Sequence, residues 1–553
     1  MRNAELKALV IAGVGTLGTL LMLVDVSTAG RVLWGLTWLY VAWQTLRSAL
    51  KRRWTRQIGR YLSVRLILMI GTLAPLLRAD GRHHVWVAVI AVLLVVLMIR
   101  TEPTIGRAAR YVGTRVHGVP GLETRLARTR PIVGYVGLNL VIPPLFMVAA
   151  LTGAPTILWL IPAAGVVGMV GWIVRDRLNR RVASNARYEA LPEVLAELDP
   201  KFVIYWDAPR NSGYELAMWM PYLRRVDEPF FIMVRSPSGF AEARRLAEDV
   251  PVVMARTLKD VERLVIPSLR AAFYVNNGAK NSHLVRYIPL THVQLLHGES
   301  DKPASFNPVT AMFDKIFVAG QAGVDRYANN GVSIPADKFE IVGRPQVEDI
   351  EVDHGVRTGP TTVLYAPTWR GHSEVASYSS IPGVVALFES LIARGCRVVF
   401  RPHPLSYKDP EYTAIIQQAH ALLAADDQAR NIGHIYGLTA EREMNVVDCF
   451  NASDAMIADI SGVVADFLYS RKPFAITNGG RGREEFLAEF PLAAVGYIMD
   501  PDPATWEGPL SDLLGNDPMR ETRLRAREHY LGSFPDEGYA DAFVHAARRV
   551  VNG

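Results

Sequence analysis

The strongest constraint on this chain is a series of apolar runs crowded into its first third. Six are present: Leu6–Val24, Val32–Leu46, Leu62–Leu77, Val85–Ile99, Ile132–Leu151 and Ile157–Val174. A bilayer span needs ~20 mostly apolar residues, with a lower limit near ~17. The second, third and fourth runs reach that length only if flanking Trp, Tyr and Arg side chains sit in the membrane interface. Trp34, Trp38, Tyr40, Trp43 and Trp86 are the expected anchors. Buried helices of a soluble domain are the competing reading. Six clustered runs with almost no acidic residue between them favour a polytopic membrane domain over residues 1–181. No short apolar segment with a small-residue cleavage site precedes the rest, so a cleavable signal peptide is not expected.

Charge divides at the same place. Residues 1–181 carry 23 Lys+Arg against 6 Asp+Glu, a net +17, whereas residues 182–553 carry 37 against 48, a net −11. The overall +6 is therefore an average of two unlike parts, and a nucleic-acid partner is not expected. The basic residues fall in alternate loops. Arg47, Lys51, Arg52, Arg53, Arg56 and Arg60 follow the second run, a second group from Arg100 to Arg130 follows the fourth, and Arg175 to Arg181 follow the sixth. By the inside-positive bias, both termini and the acidic remainder are expected in the cytoplasm of a multi-pass plasma-membrane protein. The same arginines can attract anionic headgroups or a lipid-linked anionic substrate. No span holds a carboxylate pair or a His cluster, so nothing indicates a transporter. Two cysteines, Cys396 and Cys449, make neither a disulfide framework nor a CxxC metal site.

From Lys201 onward, short β-branched and aromatic runs alternate with amphipathic stretches, the pattern of βαβ units and parallel sheets. The first series is Phe202–Trp206, Phe230–Val234, Val252–Met254, Ala272–Val275, Val293–Leu296, Lys315–Val318 and Phe339–Val342. A polar connector, Glu351–Pro360, separates it from Thr362–Tyr365, Arg397–Phe400, Ile432–Tyr436, Ala455–Ala458 and Pro473–Ile476. Two Rossmann-type domains are expected, 198–355 and 356–553. Ligands of such sheets bind at the C-terminal strand ends, so the residues directly after the strands carry the chemistry. Four stretches stand out: His297-Gly298-Glu299-Ser300-Asp301-Lys302, Ala366-Pro367-Thr368-Trp369-Arg370, Arg401-Pro402-His403-Pro404 and Asp459-Ile460-Ser461-Gly462, the last leading to Asp466. Histidine suits proton transfer near neutral pH. Arginine and lysine suit phosphate, and Ser461 can cap a helix start. Together they suit a phosphate or diphosphate donor. Polar loops at Asp207–Tyr214 and Asn276–Asn281 also follow strands and read equally as turns.

These residues resemble the CDP-glycerol glycerophosphotransferase family, the teichoic acid primases and polymerases, over roughly residues 200–545. The carrying segments are His297–Lys302, Tyr365–Arg370, Arg401–Pro404 and Asp459–Asp466. Gly462 stands where that family often has a second Ser, and Glu299 where Thr is common. The resemblance implies a GT-B-like pair of Rossmann-type domains, with an acceptor half and a CDP-donor half. It also implies transfer of glycerol phosphate from CDP-glycerol, or a related CDP-polyol, to a hydroxyl of a lipid-linked polymer, with release of CMP. On this resemblance His297 is the general base and His403 serves the diphosphate or leaving group. Arg370, Arg401 and Lys302 neutralise phosphate charge, although Glu374 is an alternative partner for Arg370. Thr368, Ser461 and Gly462 contact the phosphates, and Asp459 or Asp466 accepts bonds from ribose or glycerol hydroxyls. No metal site and no tightly bound cofactor are expected, which leaves room for Mg2+ loosely held on the diphosphate. The alternatives are a CDP-ribitol or sugar-nucleotide transferase on the same fold, and a non-catalytic membrane scaffold.

Overall fold

The computed structural model describes residues 2–24, 27–50, 61–78, 85–109, 113–123, 130–207, 212–296, 298, 303–353, 360–371 and 378–553. The chain divides into two compact units, Met1–Arg115 with Leu122–Leu191, and Val116–Gly121 with Pro192–Gly553.

The first unit is helical. Four of its described helical stretches are long and apolar enough to cross a membrane: Leu6–Leu23, Val85–Gly106, Gly134–Leu151 and Thr156–Glu197. The second apolar run lies in the helix Ser27–Leu50, which is not among the four. The third run is broken into Leu62–Gly71 and Ala74–Arg78, each too short to span alone. Among the described residues, four of the six expected spans meet the length and hydropathy of a membrane crossing.

Two tryptophans expected at the interface have internal work instead. Trp34, buried, donates its indole N–H to the Leu68 carbonyl at 2.9 Å. That carbonyl is released where the helix ends, because the Thr72 amide turns to Met69 and Ile70. Trp38 donates to the Leu140 carbonyl at 3.1 Å, which Pro144, lacking an N–H, cannot serve. In an apolar surrounding, each freed carbonyl needs such a donor. Trp43 and Trp86 are exposed, as anchors would be. The interior also holds a charge group that the sequence reading did not anticipate. Arg65 grips Glu102 with two bonds of 2.6 Å, and Asn139 donates to the same carboxylate at 2.6 Å. All three residues are buried.

The second unit contains two sheets whose strands from Phe202 onward pair in parallel, as the alternating runs require. The first uses β1 (Arg115–His117), β2 (Phe202–Trp206), β3 (Phe230–Val234), β4 (Val252–Met254), β5 (Ala271–Tyr274), β6 (Thr291–Gln294), β7 (Lys315–Val318) and β8 (Phe339–Ile341). Their order is β1-β4-β3-β2-β5-β6-β7-β8. The edge strand β1 precedes the sixth apolar run, so its membership was not legible from the alternation. Gly118 allows it: at φ +68° its Cβ position is 3.2 Å from the Pro251 backbone. The second sheet uses β9 (Thr362–Ala366), β10 (Arg397–Phe400), β11 (Ala455–Ala458), β12 (Phe474–Thr477) and β13 (Tyr497–Met499), in the order β10-β9-β11-β12-β13. The expected strand Ile432–Tyr436 is only an isolated bridge, Ile435 to Val399. The Val398 amide beside it bonds the His434 imidazole rather than a backbone carbonyl. The C-terminal helix Asp541–Asn552 returns to the first half, where Phe543 packs on Trp219 and Phe317.

Candidate active site

Strand order locates where each sheet can take a ligand. Order reverses between β2 and β5 in the first sheet and between β9 and β11 in the second, so the strand-end loops diverge there. Three of the four singled-out stretches gather around the second reversal. Thr368 follows β9, Arg401 and His403 follow β10, and Asp459 and Ser461 follow β11. Parallel register sets these ends level, with Ala458 opposite Ala366 and Phe400 opposite Tyr365.

Asp459 holds the group together. It is fully buried and accepts from the Thr368 amide at 2.7 Å, the Thr477 hydroxyl at 2.6 Å and the Ser380 amide at 3.2 Å. Burial pushes its carboxyl above the usual range, outweighing these donors, which act the other way. A carboxylate enclosed in this way braces the connection after β9 against the end of β12. Asp466, by contrast, keeps 18% exposure of its side chain. Ser461 occupies the N-cap position in extended backbone, but its side chain makes no cap bond. Its hydroxyl oxygen is enclosed and has no hydrogen-bond partner among the described residues. Gly462 opens the short helix Gly462–Phe467 that carries Asp466.

His403 is fixed in tautomer as well as place. Pro404 starts a 3-10 turn after it, and Nδ1 accepts the Leu405 amide at 3.1 Å. In the neutral ring, the proton then sits on Nε2, which becomes a donor. The ring lies beside Trp369, 29° from parallel at 6.4 Å. Arg401 spends Nη1 on the carbonyls of Ala440 and Met444, the latter at 2.9 Å, and so shapes the π turn Thr439–Glu443. Its other guanidinium donors have no partner among the described residues. Arg370 is more heavily engaged. It pairs with Asp409 at 3.0 Å and Glu411 at 2.6 Å and lies 4.6 Å over the Tyr412 ring. Glu374, the alternative partner, lies outside the described residues. Hydrogen bonding to Glu411 raises the Arg370 pKa further.

Residues 336–478 match the family described as CDP-Glycerol:Poly(glycerophosphate) glycerophosphotransferase. The match bears out the resemblance read from the motifs, and it supports a CDP-glycerol-type transferase. All the donor-half candidates, Thr368, Arg370, Arg401, His403, Asp459, Ser461, Gly462 and Asp466, lie inside it. Among solved structures, the wall teichoic acid polymerase TagF is similar at 14% identity, covering 68% of this chain and 96% of that one, with TM-score 0.38. A putative UDP-N-acetylglucosamine 2-epimerase from Listeria monocytogenes is similar at 13% identity, covering 63% and 96%, with TM-score 0.41. A glycosyltransferase from Rickettsia africae ESF-5 is similar at 12% identity, covering 64% and 98%, with TM-score 0.39. No curated protein matches the chain.

His297 and Lys302 lie outside the described residues, but the approach to His297 is informative. Leu296, buried, sits at φ +55°, and its carbonyl accepts the Trp219 indole N–H at 2.6 Å. A bulky residue in that region is strained and persists only where its surroundings enforce it. The two polar loops left open by the sequence border the first sheet's reversal. Lys280 pairs with Asp207 at 3.1 Å, and Asn276 donates to the buried Glu215 at 2.7 Å. Arg344 was missed although it obeys the same rule, following β8 by three residues. Among the described residues, no three His, Cys, Asp or Glu side chains group to hold a metal ion.

Proposed function

We propose that this protein is a membrane-anchored glycerophosphotransferase that moves glycerol phosphate from CDP-glycerol to a hydroxyl of a lipid-linked, teichoic-acid-like polymer and releases CMP. The observation carrying this reading is the gathering of the motif residues at the second sheet's strand-order reversal, inside the family match at 336–478. Phosphoryl transfer of this kind is catalysed by positioning and charge stabilisation. The acceptor hydroxyl attacks the phosphorus bearing glycerol, in line with the departing CMP. His297 takes the hydroxyl proton. The Nε2–H of His403 and the uncommitted donors of Arg401 stabilise charge on the diphosphate and the leaving CMP, and Lys302 adds to them. Thr368, Ser461 and Gly462 line the phosphate region, and Asp466 accepts ribose hydroxyls. Arg370, tied to two carboxylates, holds its loop in place. A Mg2+ ion carried on the diphosphate is compatible with this donor set. The apolar helices anchor the enzyme in the cell membrane, with the transferase unit in the cytoplasm.

A ligand panel tests the donor. A ligand that binds only the folded state raises the unfolding temperature with concentration. CDP-glycerol is expected to stabilise the full-length protein, with CDP-ribitol as the comparison. Stabilisation by UDP-sugars and not by CDP-glycerol would sink the proposal.

A further inference from the structure

Arg344 belongs to the first half, after β8, yet it grips a residue of the second. Its Nε donates to Oδ1 of Asp466 and its Nη2 to Oδ2 at 3.2 Å. Arg344 is 5% exposed, and its own backbone is pinned: the amide donates to the Tyr539 hydroxyl at 3.1 Å. The preceding Gly343 makes that approach feasible, since at φ +73° its Cβ position lies 3.1 Å from the Tyr539 ring. A carboxylate offers about four lone-pair directions, and a two-pronged guanidinium uses two of them. The remaining two belong to a side chain that is still partly exposed.

We infer that Arg344 is a positioning residue. It aims the Asp466 carboxylate at a vicinal diol, the ribose hydroxyls of the nucleotide donor, and so makes ribonucleotide selectivity depend on a side chain from the opposite half. The inference rests on the reading of Asp466 as a hydroxyl acceptor. A free aspartate turns about two side-chain torsions, and holding it in one orientation removes the ordering cost on binding. A guanidinium does this where an ammonium cannot, because only the fork fixes both oxygens.

The test is equilibrium binding of CMP and 2′-deoxy-CMP to the full-length protein in detergent. The wild type should prefer CMP by about tenfold or more, the worth of one hydrogen bond to a charged group. Arg344→Lys and Arg344→Gln should bring the ratio close to one while leaving 2′-deoxy-CMP affinity nearly unchanged. Asp466→Asn should do the same, and the Arg344→Gln/Asp466→Asn double variant should lose no more than either alone. The ratio is internal to each variant, so a reduced folded fraction cancels. If the Arg344 variants weaken both nucleotides equally and keep the ratio, Arg344 is a strut and the inference fails. A wild type that binds both alike refutes the hydroxyl-accepting role of Asp466. A wild type that binds neither refutes the cytidine-nucleotide reading itself.

Discussion

Replacing Asp459 removes the acceptor that ties the loop after β11 to the connection after β9 and to Thr477 at the end of β12. Alanine would strand the Thr368 and Ser380 amides and the Thr477 hydroxyl, the partners that Asp459 now receives at 2.6–3.2 Å. Each buried donor left unmade costs about 1–3 kcal/mol, so the two amides left once the hydroxyl has relaxed should cost about 2–6 kcal/mol. Asparagine keeps one oxygen for Thr368, and its amide can face Thr477, whose hydroxyl can turn and accept. That exchange should cost only about 1 kcal/mol. Hydrogen exchange of the β9 and β11 amides in the full-length protein reads this local stability. Equal effects of alanine and asparagine would refute the bracing role. The pH dependence carries a sign. Burial raises the Asp459 pKa in the folded state, so the folded chain holds this proton more tightly than the unfolded chain, where it leaves near ~3.9. The stability this group contributes is present below that value and is lost as pH rises toward the folded pKa. Relative to Asp459→Asn, the wild type should therefore lose stability as pH rises through this acidic window. A relative gain would mean that the donors outweigh burial.

Other consequences follow from the same geometry. His403→Ala should lower kcat for CMP release by about a hundredfold, the usual worth of one placed proton donor, with the fold unchanged by circular dichroism. Trp219→Phe deletes the indole bond that holds Leu296 and should reduce transfer while leaving CMP binding intact, as steady-state rates and calorimetry would report. In the helical unit, Arg65→Leu leaves the buried Glu102 without its main partner and should destabilise by about 3–5 kcal/mol, whereas the double change Arg65→Leu/Glu102→Leu should recover much of that. Thermal unfolding in detergent distinguishes these outcomes.

Much of the transferase unit was legible because parallel strands buried on both faces must be continuous apolar runs, and the residues after them are placed by the strand ends. Thr362–Ala366 and Ala455–Ala458 are such runs, with Thr368 and Asp459 where the rule puts them. Other features depend on pairings that no local pattern records. Ile432–Tyr436 has strand-like composition, but the His434 ring takes the neighbouring Val398 amide. The pairing of Arg370 with Asp409 and Glu411, some 40 residues later, is another contact no local pattern records. Trp34 and Trp38 look like interfacial anchors, because the carbonyls they serve, Leu68 and Leu140, are freed by breaks in other helices. Arg65 and Glu102 lie 37 residues apart and meet only through helix packing.

The most direct test of the account is the nucleotide product formed when the full-length protein, reconstituted in lipid vesicles with a polyol-phosphate acceptor, is given CDP-glycerol or UDP-N-acetylglucosamine. The account predicts CMP release from CDP-glycerol, acceptor-dependent and largely abolished by His403→Ala. UDP or UMP release from the UDP-sugar alone, or CMP release indifferent to His403, would contradict it.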